Sequence, residues 1–434
     1  MMDLVVRNVQ LATQPPGALV DIGIVAGRIA AIAPGLAADG PGYDAAGRLA
    51  CAGLIETHIH LDKARLLDVI PPERGRAINP VAHVAPYKPA MTVESVHARA
   101  EQALVECLLH GTMRMRTHVE IDPGIGLRGF EAVQSLARDY TWAIDIDLCV
   151  FPQEGLTNRP GTDELLVEAL RRGARTIGGA PRYDSNGPAQ IRRIFELARE
   201  FDTDVDLHLD VGNTPDHLDV IQVCELTEAY GLGGRVAVGH MTKLSTMPSD
   251  QLQVVARRLA GAGVAVTALP ATDLYLMGRH TDHNVPRGVA DAHALMAHGV
   301  NCSLSSNNIL NPATPFGDCS LIRVANLQAN VLQIGTPEGL RECFAMLTDR
   351  SARLLNLQDY GILVGNPADL VILDATSPEA AVAEIRRPLA VFKRGRLTVE
   401  WLPPTLLRPA GKKASIGIRG EPGTVGMPGG NLAR

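Results

Sequence analysis

The stretch GLIETHIHLDK at residues 53–63 decides the reading of the fold. Its centre, LIETHIH (54–60), is a short apolar run that closes on two histidines, the pattern of a buried strand with polar residues at its exit. Seven further short runs follow it: TMRMRTHVE (112–120), DIDLCVFPQ (145–153), IGGAP (177–181), DVDLHLD (204–210), VAVGHMT (236–242), AVTALPA (265–271) and NCSLSSN (301–307). Between them lie amphipathic segments of helical period, among them 94–109, 188–201 and 216–230, several opened by Pro, Asp or Glu near the first turn. Eight strand–helix units in succession predict an α/β fold, a distorted (β/α)8 TIM barrel with an outer ring of helices.

Outward from the barrel the texture changes. Residues 3–33, 361–373 and 389–399 alternate apolar and polar residues around Gly and Pro, as short antiparallel strands do. The economical arrangement is a small β-sandwich formed from both chain ends, with the barrel inserted between them. The expected boundaries are 1–52 and 358–403 for the composite β-domain and 53–357 for the barrel, followed by a Pro/Gly-rich tail at 404–434.

Composition narrows the function. The 434 residues carry 41 Lys+Arg against 47 Asp+Glu, a formal net charge of -6, with no basic run that could neutralise a row of phosphates. Nucleic acid is therefore not an expected partner. No apolar stretch reaches the roughly 18 residues of a membrane span, and MMDLVVRNVQ lacks the features of a signal peptide, so a cytoplasmic protein away from membranes is expected. The 7 cysteines are scattered, without a C-x-x-C pair, and read as reduced, mostly buried thiols.

In such a barrel the chemistry sits at the C-terminal ends of the strands. Those ends carry His58 and His60, His118, Gln153, His208, His240 and Asn307. Strand period 2 puts His58 and His60 on one side, about 6–7 Å apart at the backbone, a separation from which two imidazoles converge on one ion. With the strand-end His208 downstream, they indicate a site for one divalent metal. Imidazole ligands suit zinc or iron, manganese is compatible, and the lack of a cysteine cluster favours an open, catalytic site.

With these residues in view, the chain resembles the amidohydrolase superfamily, in particular the cytosine deaminase and N-isopropylammelide amidohydrolase branch, from about residue 3 to 400. The matching segments are GLIETHIHLDK (53–63), MRTHVEIDP (115–123), FPQEG (151–155), IGGAPRYD (177–184), DLHLD (206–210), VGHMT (238–242) and LLNLQDYGILVGNPADLVIL (354–373). The resemblance implies that His58, His60 and His208 hold the metal and that Gln153 hydrogen-bonds the amide face of a pyrimidine or triazine ring. It also implies that His240 contacts the metal-bound water and the developing charge. Asn307 falls where the family has an aspartate that is both metal ligand and proton shuttle.

The sequence departs from the family in two places. Asn307, Asn308 and Asn311 stand where carboxylates are expected, and Val211 stands where the deaminases use a glutamate to protonate the leaving nitrogen. Asn offers a carbonyl oxygen but takes no proton near neutral pH, and Val does neither. A substitute base is then needed, with Asp210 first among Glu120, Asp122, Asp62 and His240. Lys63, His118 and Asn308 are expected to contact substrate, whereas His280 and His283 read as exposed loop residues. The expected function is a metal-dependent hydrolase of C–N bonds in a cyclic amide, amidine or other small N-heterocycle. Hydrolytic ring opening of a lactam or imide is one alternative, and a binding or regulatory homologue with impaired catalysis is another. A homo-oligomer is compatible with such a barrel, although no interface signal is read.

Overall fold

The structure, a computed structural model, describes residues 2–37, 40–75, 78–402 and 404. Apart from Pro404, the tail expected over 404–434 lies outside the described residues. The strands run in chain order β1 (Leu4–Leu11), β2 (Leu19–Val25), β3 (Arg28–Ala33), β4 (Gly42–Asp44), β5 (Leu49–Ala52), β6 (Leu54–Ile59), β7 (Thr112–Glu120) and β8 (Asp145–Phe151). They continue with β9 (Thr176–Gly179), β10 (Asp204–Leu209), β11 (Val236–His240), β12 (Val264–Ala268), β13 (Cys302–Leu304), β14 (Leu370–Leu373), β15 (Pro388–Lys393) and β16 (Arg396–Glu400).

Two compact units result: Met1–Cys51 with Ile362–Ser377 and the chain from Pro388, and Ala52–Gly361 with Pro378–Arg387. The first is a mixed sheet of order β16-β15-β14-β5-β1-β2-β3, with β4 paired to β1. The pairs β1–β2, β2–β3, β14–β15 and β15–β16 are antiparallel, and β1 pairs β4 and β5 in parallel. Val6, Ile22 and Ile24 from one chain end share an apolar cluster with Leu370, Ile372 and Phe392 from the other, which ties the two ends together. Each such buried side chain contributes about 1.5–3 kcal/mol.

The second unit is the eight-stranded parallel barrel, its strands in sequence order from β6 to β13. Every residue of β6, β11 and β12 is buried, as expected where helices cover one face and the interior fills the other. A representative outer helix, Gly187–Phe201, starts where the Asn186 side chain accepts from the Ala189 N–H, with Pro188 in the first turn, and buries Ile191, Ile194 and Phe195. The barrel closes where β6 and the segment after β13 meet. His60 N–H donates to Asn307 O and Asn307 N–H to His58 O, both at 2.9 Å. Thr57 N–H donates to Ser305 Oγ at 2.9 Å. The closing seam therefore carries three of the expected site residues. Among the described residues the seven cysteines are buried and form no disulfide, and no helix is long and apolar enough to cross a membrane.

Candidate metal centre

His58 and His60 at the end of β6 and His208 on β10 converge. The His208 Nε2 lies 3.1 Å from His58 Nε2 and 2.9 Å from His60 Nε2. Metal–nitrogen bonds of about 2.0–2.1 Å in a tetrahedral shell place two imidazole nitrogens roughly 3.3 Å apart, so each of these pairs has a spacing that a shared ion allows, and the ring nitrogens of His58, His208 and His240 all lie within 4.8 Å of one another. The protonation state fits as well. Burial, then the neighbouring His118, pushes His58 down to about 3. Burial followed by Lys63 holds His60 well below the usual imidazole range, and burial followed by His58 does the same for His208. Neutral rings keep the lone pairs that a cation needs. Space for His58 depends on Gly239, the β11 residue registered opposite His208, because a Cβ there would lie 2.8 Å from His58 Cε1.

Beneath the cluster, Asp206 shares the inward face of β10 with His208. Its Oδ1 is 3.5 Å from His58 Nδ1 and 3.4 Å from His118 Nε2, and its Oδ2 is 3.3 Å from the buried Arg116. Burial alone would raise the Asp206 carboxyl, but the His118 and His58 rings bring it well below the ordinary range. His118 stacks on His58 at a centroid distance of 3.8 Å and is fully buried. It is absent from the cavity wall, so the residue expected to contact substrate lies packed against the histidine cluster instead. Glu56, a fully buried neighbour, accepts from Ser306 N–H with both oxygens at 3.1 Å, and burial raises it to about 7.

His240 ends β11, and its Nδ1 is 2.5 Å from Asp273 Oδ1. Burial raises the Asp273 carboxyl while His240 opposes the rise. With Nδ1–H donating to that carboxylate, Nε2 carries the lone pair, and Asn307 Nδ2 lies 3.5 Å from it. The Asn307 carbonyl oxygen is buried without a partner, available as a ligand atom. Both residues have left-handed backbone, φ 73° at His240 and φ 60° at Asn307. Such conformations cost about 1–3 kcal/mol in a non-glycine residue and collect where function needs them.

A cavity of about 200 Å³ opens over these groups. Lys63 and Gln153 meet on its wall, Lys63 Nζ donating to Gln153 Oε1 at 3.0 Å. Asn311 Nδ2 donates to Asn308 Oδ1 at 2.6 Å and to the Lys63 carbonyl at 3.3 Å. The other expected bases are engaged. Both oxygens of Asp210 accept from the first helical N–H groups of Asp219 and Val220, at 2.9 and 3.0 Å, so it caps the helix Asp219–Tyr230 although it borders the cavity. Asp62 accepts from Glu120 N–H at 2.9 Å. Glu120 and Asp122 hold the buried Lys88 ammonium at 2.5 and 2.7 Å, and Glu154 joins them. Val211 lines the cavity, and His280 and His283 are exposed.

The sequence reading missed Asp206, Glu56, Lys88 and Asp273. Asp206 and Glu56 were accessible through period 2, since each lies two residues before a histidine on its strand. Nothing local marks Asp273, which resembles any acid in the first turn of a helix, here Pro270–Leu276.

A nearly closed parallel barrel with metal-spaced histidines at its strand ends defines a class of hydrolases. The family model described as "Amidohydrolase family" matches residues 73–399, and the chain belongs to that family. It is 28% identical over 411 residues to N-isopropylammelide isopropyl amidohydrolase of Pseudomonas sp. (strain ADP), covering 92% of this chain and 97% of that protein. The crystal structure of 5-methylcytosine deaminase from Klebsiella pneumoniae liganded with 5-fluorocytosine superposes with a TM-score of 0.88 at 26% identity, covering 94% of this chain and 100% of the other. That of N-isopropylammelide isopropylaminohydrolase from Burkholderia multivorans gives 0.79 at 27% identity over 92% and 98%.

Proposed function

We propose that this protein is a metal-dependent hydrolase of a C–N bond in a small N-heterocycle, with His58, His60 and His208 as ligands and the Asn307 carbonyl beside them. The observation that carries the reading is a buried histidine cluster below an open cavity, in which His208 Nε2 approaches both His58 and His60 and the ring nitrogens of His58, His208 and His240 lie within 4.8 Å of one another. A divalent ion held there, zinc or iron, supplies Lewis acidity and lowers the pKa of a water. His240 is the proton carrier: Asp273 fixes its Nδ1–H, leaving Nε2 to take a proton during attack and return it to the leaving nitrogen. With both Asp210 oxygens on a helix, this dyad replaces Asp210 as the leading candidate for the proton shuttle. Lys63, Gln153 and Asn308 orient the ring. Val211 favours a second reading, hydrolytic opening of a lactam or imide, whose leaving nitrogen asks less of an acid than an amine does.

The test is metal analysis of the purified protein before and after chelation, combined with product release across pyrimidines, triazines and cyclic imides. About one ion per chain and turnover that is lost with chelation and restored by metal are expected. Folded protein that neither binds zinc, iron or manganese nor turns over any ring would overturn the proposal and leave a binding homologue as the reading.

A further inference from the structure

The side chain of Asn307 is itself an amide C–N bond, and its surroundings fix which way it faces. Asp273 takes the Nδ1–H of His240, so His240 Nε2 offers a lone pair, and of the two ends of an amide only the NH2 can meet it. The Asn307 atom 3.5 Å from His240 Nε2 is therefore Nδ2, which leaves the carbonyl oxygen buried without a hydrogen-bond partner. The main chain gives the residue little freedom. Asn307 N–H donates to His58 O and its carbonyl accepts from His60 N–H, both at 2.9 Å, with φ at 60°. The amide is thus pinned between two of the proposed metal ligands, with its nitrogen at the proposed proton carrier, and it borders the cavity that also reaches His208 and His240.

We infer that the first C–N bond this site hydrolyses is its own: Asn307 is a self-modification site that the folded, metal-loaded chain converts to aspartate. The inference rests on the proposed reading of the site as a C–N hydrolase. Water is the only co-reactant. Its oxygen adds to Asn307 Cγ while His240 Nε2 takes its proton; the Cγ–Nδ2 bond then breaks, Nε2 returns the proton to Nδ2, and ammonia leaves. One amide and one water become one carboxylate and one ammonium, with no oxidation or reduction. A reactant held in place by the fold has an effective concentration of about 10⁵–10⁸ M when well aligned, so a single slow turnover in each chain asks little of the site. Neighbouring amides are placed differently. Asn308 Oδ1 accepts from Asn311 Nδ2 at 2.6 Å, and Asn311 Oδ1 accepts from the N–H groups of Ala313 and Thr314 at 2.9 and 3.1 Å. The ordinary route of asparagine deamidation, attack on Cγ by the next backbone nitrogen, is disfavoured at 307 because Asn308 N–H is engaged with Ser306 O at 2.9 Å.

Peptide mass spectrometry of the full chain tests it. Chain purified in chelator is loaded with zinc, iron or manganese and sampled over time, with released ammonia assayed in parallel and Asn307→Asp as the product standard. Metal affinities of the two forms are compared on wild-type chain that still carries the amide. Aspartate should appear at 307 while Asn308 and Asn311 stay amides, with ammonia equal to the aspartate formed and no isoaspartate. Chelated chain, His240→Gln and Asp273→Asn, the variants checked for folding by near-UV circular dichroism, should convert at least about hundredfold more slowly. Aspartate already present in wild-type chain from the cell, against the amide in folded His240→Gln, is the same result reached before purification. Asparagine kept at 307 in loaded protein that turns over a ring would overturn the inference and leave the reading of the site intact. Isoaspartate, or equal conversion in chelated chain and folded variants, would overturn it as ordinary deamidation. Folded chain that neither converts nor turns over any ring would overturn the inference and the wider reading together.

Discussion

Replacing Asp273 by Asn removes one charge from a buried pair and leaves its volume almost unchanged. In the native site the carboxylate oxygen sits 2.5 Å from His240 Nδ1, and the other oxygen has no partner, so His240 is its principal polar neighbour. The amide has two ways to face the ring. Its carbonyl oxygen keeps Nδ1–H as donor but no longer stabilises a charged imidazolium, whereas its NH2 forces the proton onto Nε2 and removes the lone pair needed to accept one. Either way the proton-transfer role is crippled, and such roles are worth about 10²- to 10⁴-fold in rate. The Asp273→Asn kcat should fall by that factor, about 3–5 kcal/mol of barrier, while KM changes by less than about threefold because Asp273 is not among the residues that line the cavity. Steady-state kinetics on whichever ring proves to be turned over gives the numbers, and nitrogen NMR of the His240 ring reports the tautomer without relying on turnover. A loss of kcat below about tenfold with an altered tautomer would refute the assignment of proton transfer to His240.

Asn307→Asp adds a charge beside the histidine cluster. At an effective dielectric of about 20, a charge a few Å from a divalent ion is worth more than 1.4 kcal/mol, so chelator competition should show at least about tenfold tighter metal binding. Unchanged affinity would mean that residue 307 is not a ligand. Glu56, raised by burial from 4.5 to about 7, should make a pH-dependent contribution that is fully present below 4.5 and lost as pH rises through 7, about 3 kcal/mol in total. Urea unfolding of Glu56→Gln at pH 4.5 and 8 should show the variant gaining on the wild type at the higher pH, and equal differences at both would refute the shift. Lys88→Met leaves Glu120, Asp122 and Glu154 facing one another without their cation, and should cost about 3–5 kcal/mol in urea unfolding near pH 7 and less near pH 4. A loss below about 1 kcal/mol at pH 7 would show that the lysine is dispensable.

What sequence could reveal here followed the strand period. His58, His60 and His208 were readable because alternation on one strand and position at a strand end are local properties, and the barrel was readable because its strands are short, apolar and evenly interrupted. Asp210 has a structural engagement that the strand period does not reveal. It follows His208 at the strand period, but the chain turns there at φ 48° and hands the carboxylate to a helix that starts at Asp219. Asp273 reaches His240 only because β11 and β12 lie side by side, and Lys88 finds its carboxylates across a loop, so neither contact exists until the chain has folded. The polarity of the Gln153 and Asn308 amides depends on which atom each neighbour offers, which no residue spacing encodes.

The seam between Thr57 and Ser305 joins positions 248 residues apart. On a ribosome adding about 5–20 residues per second, the first two histidines would emerge roughly 12–50 s before the segment that locks them in place. During that interval they belong to an open sheet edge, without the backbone partner that holds them in the finished barrel. Under the proposed reading, loading of the cluster would be a late event in the life of each new chain, and a chain cut short before residue 305 would carry all three histidines yet lack the closure that holds two of them. In that reading, metal retention would record whether synthesis ran far enough for the barrel to close.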